Sequence, residues 1–107
     1  MVYVVQKPAD KDLRPAEKYG ELRVLLPAGT QITFRAGAVT QHLRSELSKF
    51  WASEYLVLIG DPVAIGLSVA VACSWNQGRA KLLKWDRISS SYYAVQINIY
   101  QKGDTDE

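Results

Sequence analysis

Cysteine and histidine are nearly missing from this chain, with Cys73 and His42 the sole examples among 107 residues. One thiol cannot close an intrachain disulfide. That excludes the stapled scaffolds of small secreted proteins and, with no signal peptide at the start, points to a reducing, cytoplasmic setting. One thiol and one imidazole also fall short of an ordinary zinc site, so no metal is expected. Charge is sparse, at 22% of residues, whereas 48% are apolar, a balance that suits a folded chain rather than a disordered one. A chain of this length buries about 65% of its unfolded surface on folding, enough for one core. Three of the 11 acidic residues lie in the last four positions and all 13 basic residues precede them, so residues 1–103 carry a net +5. This bias is mild, without the clustered basic stripe of a dedicated nucleic-acid protein. We expect one α/β domain over residues 1–103 and an acidic tail at 104–107.

Leu56–Cys73 has 18 residues with a single charge, Asp61. Gly60-Asp61-Pro62 would break a spanning helix near its start, and the apolar remainder is too short for about 30 Å of hydrocarbon. No membrane contact is expected. The segment reads instead as a central strand, Leu56-Val57-Leu58-Ile59, followed by a buried helix. An unbroken apolar run suits a strand covered on both faces. Asp61 can accept hydrogen bonds from the free amides of the first helical turn, and Pro62 suits the first helical position. From Pro62 to about Asn76 no polar face appears, which predicts burial on several sides. Rows of small residues, Ala64-Ser68-Ala72 and Gly66-Ala70-Ser74, allow close approach by the sheet, another helix or a second subunit. Gly78 is placed to cap the helix in a left-handed conformation.

The remaining elements follow from their periods. Val2–Val5 and Leu22–Leu26 read as strands, separated by a loop with one helical turn near Pro15. Gln31–Phe34 reads as a short strand or an extended connection. Val39, Leu43, Leu47, Phe50 and Trp51 share one stripe, predicting a surface helix with that face on the core. Arg79–Trp85 and Tyr92–Tyr100 read as strands of a C-terminal hairpin around the polar turn 86–91, the last strand at or near an edge. The expected fold is α/β: a mixed sheet of about five strands with two helices and one right-handed βαβ unit over Leu56–Trp85.

The chain holds no converging set of catalytic groups, and no enzyme is expected. His42 reads as a solvated surface residue and Cys73 as a buried, inert thiol. Ser89, Ser90 and Ser91 have no histidine within sequence reach to activate them. Two places could bind a ligand. The first is the turn Gly60-Asp61, because a strand end leading into a helix N-terminus is where α/β sheets hold anions. Glycine-rich phosphate and dinucleotide fingerprints are absent, so no cofactor is expected, and the Asp61 carboxylate would repel a phosphate. The second is the hairpin, where Arg79, Lys81, Lys84 and Arg87 interleave with Trp85 and are followed by Tyr92. Cations beside exposed rings can hold a single nucleic-acid strand. The alternative is a solvated hairpin whose charges discourage edge pairing.

The span Tyr55-Leu56-Val57-Leu58-Ile59-Gly60-Asp61-Pro62-Val63-Ala64, then Gly78-Arg79, Leu82-Leu83-Lys84-Trp85-Asp86-Arg87 and Tyr92-Tyr93, resembles small uncharacterised proteins encoded in bacteriophage and prophage genomes. Gly20-Glu21-Leu22 and Leu26-Pro27 extend the likeness upstream. The resemblance implies a phage origin and a role in the host cytoplasm during infection. Three Trp and six Tyr in so short a chain favour a non-catalytic interaction module, a homodimer acting on a host or phage macromolecule. The alternative is a nucleotide- or single-stranded nucleic-acid-binding protein using the Gly60-Asp61 turn or the hairpin 79–93.

Overall fold

A computed structural model describes residues 1–33, 35–51 and 53–101. Five strands form one sheet: β1 (Val2–Gln6), β2 (Leu22–Leu26), β3 (Tyr55–Val57), β4 (Arg79–Asp86) and β5 (Ser91–Asn98). Two α-helices, α1 (Ala36–Glu46) and α2 (Pro62–Trp75), and a short 3-10 helix, Arg14–Tyr19, connect them. The strand order is β2-β1-β3-β4-β5, with the first four parallel and β5 antiparallel to β4. The expected mixed sheet, βαβ unit and C-terminal hairpin are all present. Residues 31–33 add no strand. Phe34 and the acidic tail at 104–107 lie outside the described residues.

Alternation along the strands divides the core into two layers. Tyr3, Val5, Leu56 and Ala80 point to the side of α1 and α2, where Val39, Leu43, Leu47, Phe50, Ala64, Val71 and Ala72 meet them. Val2, Val4, Val57 and Leu83 point to the opposite side, covered by Ala16 of the 3-10 helix with Leu13 and Tyr19 packed around it. Both faces of β1 are therefore buried, which explains its unbroken run of apolar residues. From β1 the chain steps one way to β2 with its connection on the 3-10 face. It then steps the other way to β3 and β4 with its connections on the α face. Reversing direction and face together keeps one hand for all three parallel crossovers, as the right-handed rule demands.

Three expectations need correction. The central strand is shorter than its apolar run: only Tyr55–Val57 pair, because Ile59 N–H turns back to the Val57 carbonyl and Gly60 takes a positive φ of 121°. Trp51 does not join the core stripe. The helix ends at Glu46, so the chain leaves the helical period after burying Leu47 and Phe50, and Trp51 stands 67% exposed. Third, α2 is not buried on several sides. Ala64, Ser68, Val71, Ala72 and Cys73 are buried, but Val63, Gly66, Ala70, Ser74 and Trp75 face outward. A tight hairpin joins β4 to β5 where a crossover helix would otherwise have covered that flank. Among the described residues no helix is long and apolar enough to cross a membrane.

Candidate functional site

The crevice between β1 and β3, at the carboxyl ends of the strands, is where the direction of winding reverses and where a sheet of this kind holds ligands. Here the chain's own side chains occupy it. Asp61 Oδ1 accepts from the amides of Val63 (2.7 Å) and Ala64 (3.3 Å), the first-turn donors an anion would use. Gln6, at the end of β1, accepts from Asp61 N–H through Oε1 at 2.8 Å. Its Nε2 donates to the carbonyls of Thr30 (3.3 Å) and Pro27 (3.4 Å). A Cβ at Gly60 would sit 2.5 Å from Gln6 Cβ, so the glycine is required by proximity as well as by φ. Gly60 and Asp61 thus form a closed structural joint.

The hairpin is split between surfaces. Strand pairing puts Arg79, Lys81 and Trp85 toward the 3-10 face and Lys84 toward the α face, while Arg87 lies in the turn. Lys81 Nζ sits 5.3 Å above the Tyr55 ring, and Arg79 donates to Gln77 Oε1 at 3.2 Å. Lys11 covers Trp85, with Nζ 4.3 Å from the ring centroid, and Tyr92 meets Trp85 edge-on at 4.9 Å. Tyr92 is only 3% exposed, and burial first, then the nearby Asp12 charge, pushes its phenol pKa up. Tyr92 therefore has no face open for stacking, and the half-buried Trp85 has Lys11 over its ring.

The other singled-out residues are used structurally. His42 is exposed, but a ring nitrogen lies 2.8 Å from the Leu25 carbonyl, so it is tied to β2 rather than simply solvated. Desolvation raises the Cys73 pKa, as a buried and inert thiol requires. Asp86 accepts from Ile88 N–H and Ser89 Oγ in the hairpin turn, and these bonds, Ser89 first, lower its pKa. Among the described residues no three His, Cys, Asp or Glu side chains gather as metal ligands would.

A different surface stands out at the opposite end, where the parallel strands begin. Trp51 (67% exposed) and Trp75 (45% exposed) line one hollow of about 370 Å³ with Phe50, Asn76, Gln77 and Arg79. Trp51 also borders a second hollow of about 470 Å³, lined by Tyr3, Arg23, Glu46, Lys49 and Glu54. Trp75 is held in place: its Nε1–H donates to the Arg44 carbonyl at 3.1 Å, and the Arg44 guanidinium lies 5.6 Å from its ring centroid. Across the second hollow Arg23 and Glu46 pair at 2.8 Å. Both α-helices end here, and Arg44 in the last turn of α1 offsets the negative end of its dipole. Sequence reasoning missed this surface because it assigned Trp51 to the core and did not single out Trp75. The available signal was the polar run Ser48-Lys49 before Phe50-Trp51, which marks a helix end rather than a continuing stripe.

A family model described as Phage Pam3 gp32-like protein matches residues 1–99. No curated protein and no solved structure matches the chain.

Proposed function

The chain belongs to the Phage Pam3 gp32-like family, and from that premise we propose that it is a non-catalytic interaction module of a phage. Its contact surface is the end that carries Trp51 and Trp75, and its partner is a host or phage protein in the cytoplasm. The observation that carries this reading is a pair of exposed indoles flanking a hollow that Arg79 also lines, with Arg44 beside Trp75. Tryptophan and arginine dominate the energetics of protein–protein contacts when a partner desolvates them. A protein partner suits this end better than nucleic acid for two reasons. Glu46 and Glu54 lie among the cations, where a phosphate backbone would meet repulsion. Arg44 already lies over one face of the Trp75 ring, a face that a base would need.

Affinity capture from infected cells tests the reading. The wild-type chain should retain a discrete protein partner, and Trp51→Ala should lower its recovery about tenfold or more, as loss of a contact hot spot does. Lys81→Ala with Lys84→Ala should leave recovery unchanged. The reverse pattern, with nucleic acid recovered in place of protein and released by salt, would move the active surface to the hairpin and overturn the proposal.

A further inference from the structure

The outer edge of β5 differs from the edges that soluble proteins usually leave open. Natural edge strands are kept short, charged or interrupted by proline or a bulge, so that they do not pair with other chains. The eight residues of β5, Ser-Tyr-Tyr-Ala-Val-Gln-Ile-Asn, contain neither charge nor proline, and every one pairs with β4 without a bulge. At the other side of the sheet, β2 has five residues and carries Arg23, paired with Glu46.

Hydrogen bonding shows which main-chain groups of β5 are open. Ile99 N–H donates to the Gly78 carbonyl at 2.8 Å. By antiparallel alternation, Tyr93, Val95 and Ile97 then direct their main-chain groups to β4, and Tyr92, Ala94, Gln96 and Asn98 direct theirs outward. Tyr19 Oη donates to the Tyr92 carbonyl at 2.9 Å, and Gln101 N–H donates to the Asn98 carbonyl at 3.0 Å. The outward carbonyls at both ends of the edge are therefore taken, and Ala94 and Gln96 between them have both N–H and C=O open among the described residues. These two residues lie symmetrically about Val95.

We propose that β5 pairs antiparallel with β5 of a second copy, across a two-fold axis through Val95, to make a continuous ten-stranded sheet. This partner deepens the reading of the chain as an interaction module, on a surface separate from Trp51 and Trp75. Three features fit a second copy. Ala94 and Gln96 exchange both of their open groups with Gln96 and Ala94 of the other chain, giving four hydrogen bonds. On the α face, Val95 meets its own counterpart, and Tyr93 (43% exposed) meets Ile97, placing aromatic against β-branched side chains. Since β5 is uncharged, self-pairing brings no like charges together. A contact limited to one strand pair and four hydrogen bonds should dissociate on dilution.

The test places a charge on the axis. Wild-type chain should sediment as a concentration-dependent dimer. Val95→Lys and Val95→Glu, each confirmed as folded by circular dichroism, should each be monomeric, because the axis puts residue 95 opposite itself. Mixed in equal amounts, the two should dimerise again. Trp51→Ala should leave the dimer unchanged, and Val95→Lys should leave partner capture unchanged, so failure of one proposal is distinguishable from failure of the other. A wild-type chain that stays monomeric up to about 1 mM overturns the proposal. So do single variants that still dimerise, a mixture that does not recover, or an edge that pairs only with an extended segment of another protein.

Discussion

Asp61, Gln6 and Gly60 form one joint, and their individual costs can be separated. Asp61→Ala removes the acceptor for two first-turn amides and should lower unfolding stability by about 1 kcal/mol, whereas Asp61→Asn should retain most of it. Gln6→Ala leaves the Asp61 amide and the Thr30 carbonyl without their Gln6 partner, while the Pro27 carbonyl keeps its bonds from Thr30, and should cost about 1–3 kcal/mol. Gly60→Ala combines strain at φ 121° with a collision against Gln6 and should cost at least as much, about 1–3 kcal/mol. Urea unfolding followed by circular dichroism measures all three. The cap was legible in the sequence, since Asp-Pro at a helix start has a local meaning. Gln6 was not, because nothing near it in the chain indicates that it reaches residues 27, 30 and 61.

Elements show where periodicity informs and where it fails. The composition of α2 predicts burial all round, yet its row Val63, Gly66 and Ala70 lies open. Period and hydropathy identify which residues could be buried. Whether a neighbour covers them depends on the next connection, here a hairpin instead of a crossover helix. The stripe ending at Trp51 fails for the same kind of reason: a helical period is informative only while the helix lasts, and α1 stops at Glu46. The buried face of α2 has a testable consequence. Cys73 should resist iodoacetamide in the native protein at pH 8 and react fully in urea, because desolvation suppresses its thiolate. Rapid native labelling would show that α2 opens or is not seated on the sheet.

For the molecule as a whole, strand content, the central position of β3 and the parallel crossover were all readable from runs, caps and turns. The two-sided winding was not, because it depends on which face the connection between residues 7 and 21 takes. That same connection packs against Trp85 and Tyr92, so the rings that the sequence offered as one alternative binding platform are engaged within the fold, while Arg79, Lys84 and Arg87 stay exposed. Alkaline stability reports on the packing of both layers. Tyr3, Tyr92 and Cys73 all have pKa values raised by burial from ordinary values of 10.0, 10.0 and 9.0. A group whose folded pKa is raised holds its proton better in the native state. Its contribution is complete below the ordinary value and declines as pH rises through it. Thermal stability should therefore be level from pH 7 to about 8.5 and fall progressively above about pH 9. Tyr92→Phe should remove part of that fall.

The end bearing Trp51 and Trp75 is the proposed meeting point with a protein partner. A photo-crosslinking phenylalanine analogue, placed at Trp51 in one chain and at the 96%-exposed Ile88 in another, tests it in infected cells. Position 51 should give one discrete protein adduct and position 88 none. Equal adducts from both positions, or an adduct from position 88 alone, would contradict it.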